Sequence, residues 1–331
     1  MREVRERAIG LIADIGGTNA RFALADARGR LLARADLPTA DYADAESAIA
    51  AFLAEHAAGA GVEAAVIAIA APVAGPRVRM TNGRWLVDAP ALAARFGWRR
   101  FRLLNDFAAI AYGLPALEAD GRLVPIGTRL LPLDPGAPRI VMGPGTGLGL
   151  AVLAGSDGDP LVIATEAGHV AFAPEDAREW TLADRLARRH GRVSIERLLS
   201  GPGLITLYRH LGGTRARDPA EVAAAARAGT DPQAMEAARW FLDVLARFAG
   251  DMVLTHGAWA GVAFTGGVFA GLRPLLAPAR LRALFAAKGR YRELMERVPV
   301  FAIAHADPGL FGAGKLLGRL LGTHAEKETS S

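Results

Sequence analysis

Two stretches of this sequence place glycine and threonine where a chain would have to come close to an anion. Asp14-Ile15-Gly16-Gly17-Thr18-Asn19 follows one short apolar run, and Gly143-Pro144-Gly145-Thr146-Gly147 follows another. Glycine lets backbone N–H groups converge on an oxyanion because no Cβ stands in the way, and Thr18 and Thr146 add hydroxyl donors. Asp14 sits where the first run meets its turn. A carboxylate beside a phosphate repels it unless a cation lies between, so the natural job of Asp14 there is to hold Mg²⁺, directly or through water. Tight hairpin turns also need glycine, and either turn alone supports nothing more. A third Gly/Thr turn, Thr265-Gly266-Gly267, tilts the set toward phosphate binding.

Other side chains could act beside such a cradle. Asn105-Asp106 ends the apolar run Leu103-Leu104 and precedes a helical stretch. Both are favoured helix N-caps. A carboxylate at the C-terminal end of a strand can equally accept a proton from a hydroxyl nucleophile, with Asn105 fixing a neighbouring hydroxyl. Glu166 and His169 could be metal ligands lacking a third partner, a surface Glu beside a hydrogen-bonded core His, or partners for neutral sugar hydroxyls, the carboxylate accepting and the imidazole doing either. Glu196 by itself reads as a solvated helix residue, and Asn82, in a turn before Trp85, has the same two-sided reading. Gly309-Leu-Phe-Gly-Ala-Gly314-Lys315 fits the first part of a P-loop, but Leu316 replaces the Ser/Thr. Asp307-Pro308 interrupts the approach, so this reads as a loop leading into the last helix. Gly143 to Gly149 lacks the G-x-G-x-x-G spacing of dinucleotide folds, which argues against NAD.

The elements that must position these residues alternate in type. Residues 9–15 and 20–25 read as strands of a hairpin with a glycine tip, 45–58 as a helix, and 64–71 as a buried strand. The plan repeats at 139–142, a glycine turn, and 150–154, which suggests two related halves. A strand at 162–164, helices at 198–210 and 232–248, a strand at 262–264 and a final helix at 310–321 follow, with an exposed loop at 212–219. The class is α/β.

At 331 residues the chain has room for about two domains. With 51% hydrophobic and 22% charged residues it can bury a core, which excludes disorder as its theme. The absence of cysteine excludes disulfides, cysteine-ligated metals and thiol nucleophiles. Glycine, 38 of 331, is in surplus, and phosphate approach would account for part of it. The net charge of +5 (39 − 34) comes from basic stretches interleaved with apolar residues, which argues against nucleic acid as a partner. The start is charged with both signs, unlike a secretory leader. Met252 to Leu272 carries no formal charge but is broken by glycines, reading as two short buried elements around a turn. No membrane association and a cytoplasmic location are the expectation.

Taken in order, Asp14-Ile-Gly-Gly-Thr-Asn19, Met80-Thr-Asn82 with Trp85, Leu104-Asn-Asp-Phe107, Gly143-x-Gly-Thr-Gly147, Glu166-x-Gly-His169, Glu196-Arg-Leu-Leu-Ser-Gly-Pro-Gly203 and Thr265-Gly-Gly267 resemble the bacterial glucokinase family. That family lies in the superfamily of hexokinase- and actin-like ATPases, and the resemblance runs from about residue 9 to 321. It implies a two-domain actin-like ATPase (ribonuclease H-like) fold with a duplicated β-rich α/β core and a cleft between domains. The small domain would be 1–114 plus 305–322, the large domain 115–304, and 323–331 a tail. It implies ATP-dependent phosphorylation of glucose at the 6-hydroxyl, and a homodimer. Asp106 would be the base. Asn82, Asn105, Asp106, Glu166, His169 and Glu196 would hold the sugar. Ala13, Asp14, Ile15, Gly16, Gly17, Thr18, Asn19, Gly143, Gly145, Thr146, Gly147, Gly266 and Gly267 would hold ATP, with Mg²⁺ at Asp14 through water.

Ala167 departs from the resemblance, standing where many relatives have glycine; the added methyl bears on hexose preference and leaves the reaction class alone. The alternatives are another hexose kinase on the same fold, a sugar-sensing repressor, and an actin- or chaperone-like ATPase. The lack of cysteine excludes the zinc-bearing branch of related kinases. About eight residues before the first strand are too few for a helix-turn-helix. A chaperone-like ATPase would not need the Asn-Asp and Glu-x-x-His groups.

Overall fold

The apolar runs at residues 10–15 and 64–69 lie side by side at the centre of a sheet, buried on both faces, as continuous hydrophobic strands demand. This computed structural model describes residues 9–57, 61–81, 83–155 and 159–328. The chain divides into two units: one comprises the chain up to Arg122 together with the chain from His305 onward, the other Leu123–Ala304.

In the first unit, β1 (Gly10–Ile15), β2 (Asn19–Ala25), β3 (Leu31–Pro38), β4 (Ala64–Ile69) and β7 (Arg100–Asn105) form a sheet of order β3-β2-β1-β4-β7. β5 (Arg77–Arg79) and β6 (Leu86–Asp88) make a separate ribbon. The helices are α1 (Ala45–His56), α2 (Ala89–Phe96) and α3 (Asp106–Ala119). Ile49 and Phe52 of α1 share a core with Ile15, Phe22 and Ile67 on one face of the sheet. The opposite face, Ile12, Ala23 and Val66, is covered by Ala109 of α3 and by Leu310, Ala313 and Leu317 from a helix at the far end of the chain.

The second unit contains β8 (Leu123–Pro125), β9 (Arg139–Pro144), β10 (Leu148–Gly155), β11 (Pro160–Thr165), α4 (Ala177–His190), α5 (Gly201–His210), α6 (Pro219–Ala228), α7 (Pro232–His256), β12 (Gly261–Phe264), α8 (Gly267–Leu272), α9 (Pro278–Ala286), α10 (Arg292–Glu296) and β13 (Val300–Ile303). Its sheet order is β11-β10-β9-β12-β13-β8. The first five strands repeat the plan of the first unit. Two antiparallel neighbours (β1–β2–β3, β9–β10–β11) lead to two parallel ones (β1–β4–β7, β9–β12–β13). After β13 the chain returns to the first unit as α11 (Pro308–Glu328).

Cap chemistry sets several boundaries differently from the apolar pattern. The helix expected at 198–210 starts at Gly201, because the Ser200 hydroxyl caps it by accepting from Gly203 N–H; Glu196 lies in a separate 3₁₀ turn, Ile195–Arg197. The helix expected to end near 248 runs to His256, since Ala249, Met252 and Val253 continue the buried stripe until Gly257 turns left-handed (φ 58°). The expected loop before the last helix is instead its first turns, opened by Pro308. Its Gly312 packs so close to α3 that a Cβ there would lie 1.8 Å from the Ala109 carbonyl oxygen. Loop 212–219 is anchored rather than wholly exposed: the Tyr208 hydroxyl accepts from Arg215 and Ala216 N–H and donates to Asp231, the N-cap of α7. Residues 252–272 divide between α7, β12 and α8. Among the described residues no helix is long and apolar enough to cross a membrane.

Candidate functional site

The β1–β2 hairpin aligns Asp14 with Arg21 and closes on Gly16-Gly17-Thr18, with Gly16 N–H donating to Asn19 C=O at 2.9 Å. Thr39, just after β3, holds the tip in shape. Its hydroxyl lies 2.9 and 3.0 Å from the carbonyl oxygens of Gly17 and Thr18, and its N–H donates to Thr18 C=O. Thr18 and Asn19 are exposed, whereas the side chains of Ala13 and Ile15 are wholly within the core. Those two can serve a ligand only through their backbone.

Asp14 lies at the edge of a charged cluster. Arg21 Nη1 is 3.5 Å from Asp14 Oδ2, and Arg21 Nε is 3.4 Å from Asp307 and 3.7 Å from Asp36. Arg34 grips Asp36 with two bonds, 2.9 and 3.0 Å, and also donates to Asp307. That grip holds the Asp36 carboxyl below its ordinary range. Burial raises the Asp14 pKa, with the nearby Asp307 and Asp36 adding to it and Arg21 opposing. The first turn of α11 lies against Asp14: a Cβ on Gly309 would be 2.9 Å from Oδ2. Among the described residues no cluster of three or more His, Asp or Glu side chains could hold a metal ion. One half-buried carboxylate beside a half-buried glycine tip fits the way Mg²⁺ is held, through one or two carboxylates, water and phosphate oxygens.

At the end of β7, Asn105 is the N-cap of α3. Its Oδ1 accepts from Phe107 N–H (2.9 Å) and Ala108 N–H (3.2 Å), and its amide donates to Ala71 C=O beyond β4. The cap is therefore Asn105, and Asp106 is left as the first helical residue, partly exposed, one Oδ accepting from Phe107 N–H at 2.9 Å. It stands at the C-terminal end of a parallel strand, where α/β sheets put their ligands. Asn82 lies outside the described residues.

The second tip is held by backbone packing. Gly145 N–H donates to Gly147 C=O, and Gly145 C=O accepts from Gly201 N–H, both at 2.8 Å. Cβ atoms at Gly143 and Gly266 would lie 2.3 Å from Thr265 O and 2.4 Å from Pro144 O. These two are glycine because two backbones touch, so the glycine surplus owes less to phosphate than the sequence reading supposed. Gly145 and Gly267 differ: nothing lies within 4 Å of a Cβ there. Both open on a cavity of about 670 Å³, lined also by Thr146, Ala223, Arg227 and Gly271. Arg227 donates to Gly271 C=O at its far wall.

Glu166 and His169 bracket a short turn after β11, and both are exposed, so the core-His reading of His169 does not hold. Partial burial raises the Glu166 pKa, with His169 opposing and Glu196 adding to it. Glu196 is not simply solvated: Oε2 accepts from Leu148 N–H at 2.8 Å. Ala167 is buried among Leu148, Ile195 and their neighbours, so its methyl belongs to the core. Thr39, Arg21, Arg34, Asp36 and Arg227 escaped the sequence reading, which took Gly201 only as part of a motif and Asp307 only as a break before the last helix. Asp307 and Arg34 are 273 residues apart, and no local pattern announces such a pair.

A family model described as Glucokinase matches residues 11–319. A curated glucokinase from Marinobacter nauticus is 41% identical over 315 residues, covering 93% of this chain and 97% of its own. The crystal structure of a glucokinase from an Antarctic psychrotroph superposes with a TM-score of 0.80 at 30% identity, covering 93% of this chain and 98% of that one. A ROK family glucokinase from Streptomyces griseus, solved with glucose and AMPPNP, shares the fold (TM-score 0.65, 22% identity, 93% and 98% covered).

Proposed function

Because this chain belongs to the glucokinase family, we propose that it transfers the γ-phosphoryl group of ATP to the 6-hydroxyl of glucose, with Asp106 as the base. The observation that carries the assignment is the head of α3: Asn105 caps the helix through Phe107 and Ala108 N–H, and the carboxylate of Asp106, one oxygen of which also accepts from Phe107 N–H, stands partly exposed at the strand's end. A sugar hydroxyl is a weak nucleophile at neutral pH. Asp106 accepts its proton as the oxygen bonds to the γ-phosphorus and the bond to the β-phosphate oxygen breaks, releasing ADP. Glu166, His169 and Glu196, with Asn105 and Asn82, hold the sugar hydroxyls. The Gly16-Gly17-Thr18 and Gly145-Thr146 backbones meet the phosphates. Gly267 and the cavity reaching Ala223 and Arg227 suit the nucleoside. Mg²⁺, held by Asp14 through water, supplies charge neutralisation when bound.

The common strand order of the two sheets supports reading the units as duplicated halves of an actin-like ATPase (ribonuclease H-like) fold. The family resemblance further supports a cytoplasmic homodimer, for which sedimentation velocity at micromolar protein is the check.

The test is ADP release over a hexose panel. Glucose-dependent release in the native chain, and a fall in kcat of about 10²–10⁴-fold in Asp106→Asn with unchanged circular dichroism, are expected. No sugar-dependent release from folded protein removes the kinase reading. Full activity in the variant removes the base alone.

A further inference from the structure

We infer that Glu196 couples the sugar to the phosphate-binding tip, sharing one carboxylate between them. This rests on the proposed reading of Glu196 as a sugar ligand and of residues 145–147 as a phosphate cradle.

Oε2 of Glu196 accepts from the N–H of Leu148, the residue by which the chain leaves the second tip. The space it occupies is space that a side chain at Gly147 would fill: a Cβ there would lie 2.5 Å from Oε2 and 3.9 Å from Oε1. Gly147 thus admits the carboxylate to the tip, and Oε1 is the oxygen farther from that position. The segment bearing Glu196 is itself pinned. Ser200 Oγ donates to Glu196 C=O at 2.8 Å, and Ile195 N–H donates to Val170 C=O at 2.9 Å. Gly201 N–H then reaches Gly145 C=O on the other side of the tip. Residues 196–201 therefore clip the tip at both ends, by a side chain at Leu148 and by backbone at Gly145.

The Glu166–His169 turn meets the same place. A Cβ on Gly168 would lie 2.5 Å from the Leu148 carbonyl oxygen. The two segments proposed to hold sugar thus converge on Leu148, one at its N–H and one at its C=O.

A sugar hydroxyl donating to Oε1 fixes the carboxylate that holds the tip, so nucleotide meets an ordered cradle. By linkage, nucleotide that orders the tip favours sugar to the same degree.

Calorimetric titration of the full chain with Mg²⁺–AMPPNP, with and without saturating glucose, measures the coupling. In the native chain glucose is expected to tighten the analogue's Kd within the ordinary range for coupled sites, about 5- to 150-fold. Gly147→Ala pushes Oε2 off Leu148 while leaving the Glu196 side chain intact, and Glu196→Asp is too short to serve both partners. Both are expected to bring the ratio toward one, and the second provides the answer if the first does not fold. A ratio that stays native in a folded variant, whatever happens to the separate affinities, overturns the coupling. Glucose affinity unchanged in Glu196→Gln removes the sugar-ligand reading itself, and the coupling with it.

Discussion

One residue before the end of β1 stands Asp14, opposite Arg21 across the hairpin; the same place on β9 is Gly143, opposite Gly149. The two hairpins share strand order and a glycine tip, yet the first has a charge pair where the second has no side chains at all. In the first unit the tip is braced by a hydroxyl, Thr39, and underlain by three carboxylates and two arginines. In the second it is braced by the neighbouring backbone of Thr265-Gly266 and by one carboxylate, Glu196. A repeated backbone plan therefore does not carry a repeated chemistry. One tip is equipped to manage charge and the other to present backbone to an open cavity.

The largest effect should separate the tips by chemistry. Asp14→Asn is expected to lower kcat/KM for ATP by about 10²–10³-fold, the usual loss when one preorganised electrostatic contact is removed. Its stability should move the other way. Folding raises the Asp14 pKa, so this group's contribution is present at low pH and is lost as pH rises through the range above 3.8. At pH 7 the ionised form is a burden, and the variant's Tm should match or exceed the native value. A lowered Tm would mean that the Arg21 pair outweighs burial.

Gly143→Ala should fail by packing instead. Its methyl has no room beside Thr265, and overpacking of this kind costs about 1–3 kcal/mol, seen as a lower midpoint in thermal denaturation. Equal activity losses with no stability loss would erase the contrast between the tips. Thr39→Val removes the hydroxyl that holds Gly17 and Thr18, at about 1 kcal/mol; the KM for ATP should rise while the KM for glucose holds. Gly145→Ala, facing open cavity, should leave stability within about 0.5 kcal/mol of native and still raise the KM for ATP. The smallest effect concerns acid. Because Glu166 is pushed up, kcat/KM for glucose should begin to fall above the ordinary carboxyl range as pH drops, and Glu196→Gln should move that limb lower. A limb that does not move would mean Glu196 is not the neighbour felt there.

Much of this was legible in the sequence. The central strands were, because a short continuous apolar run closed off by glycine or proline must be buried on every side, and the centre of a sheet is where that happens; β3, β5, β6, β8 and β13, charged along their length or very short, were not. Helix ends were less so: Ser200 and Gly257 set them through hydrogen bonding and a left-handed turn that hydrophobic periodicity does not register. Asn105-Asp106 named the right dipeptide but not which residue caps, since both side chains can. Glu196 looked solvated because its partner, Leu148, is 48 positions away. The Gly309–Gly314 run resembled a phosphate loop and is the first part of a helix whose glycines let neighbours close in on different sides: Gly309 backs Asp14, Gly312 meets Ala109, and Gly314 meets Gly29. A glycine excess says that something comes close, and only the fold says whether it is a ligand or another backbone.

The return of α11 to the first unit has a consequence for birth on the ribosome. The second unit is one continuous stretch of chain and can complete itself as soon as it emerges, domains generally folding as units. The first cannot. Ile12, Val66 and Ala109 wait for Leu310, Ala313 and Leu317, the last of its core to be translated. Until then that face of its central sheet is covered by α3 alone, and a chain cut short before residue 310 lacks the helix that completes the first unit's core.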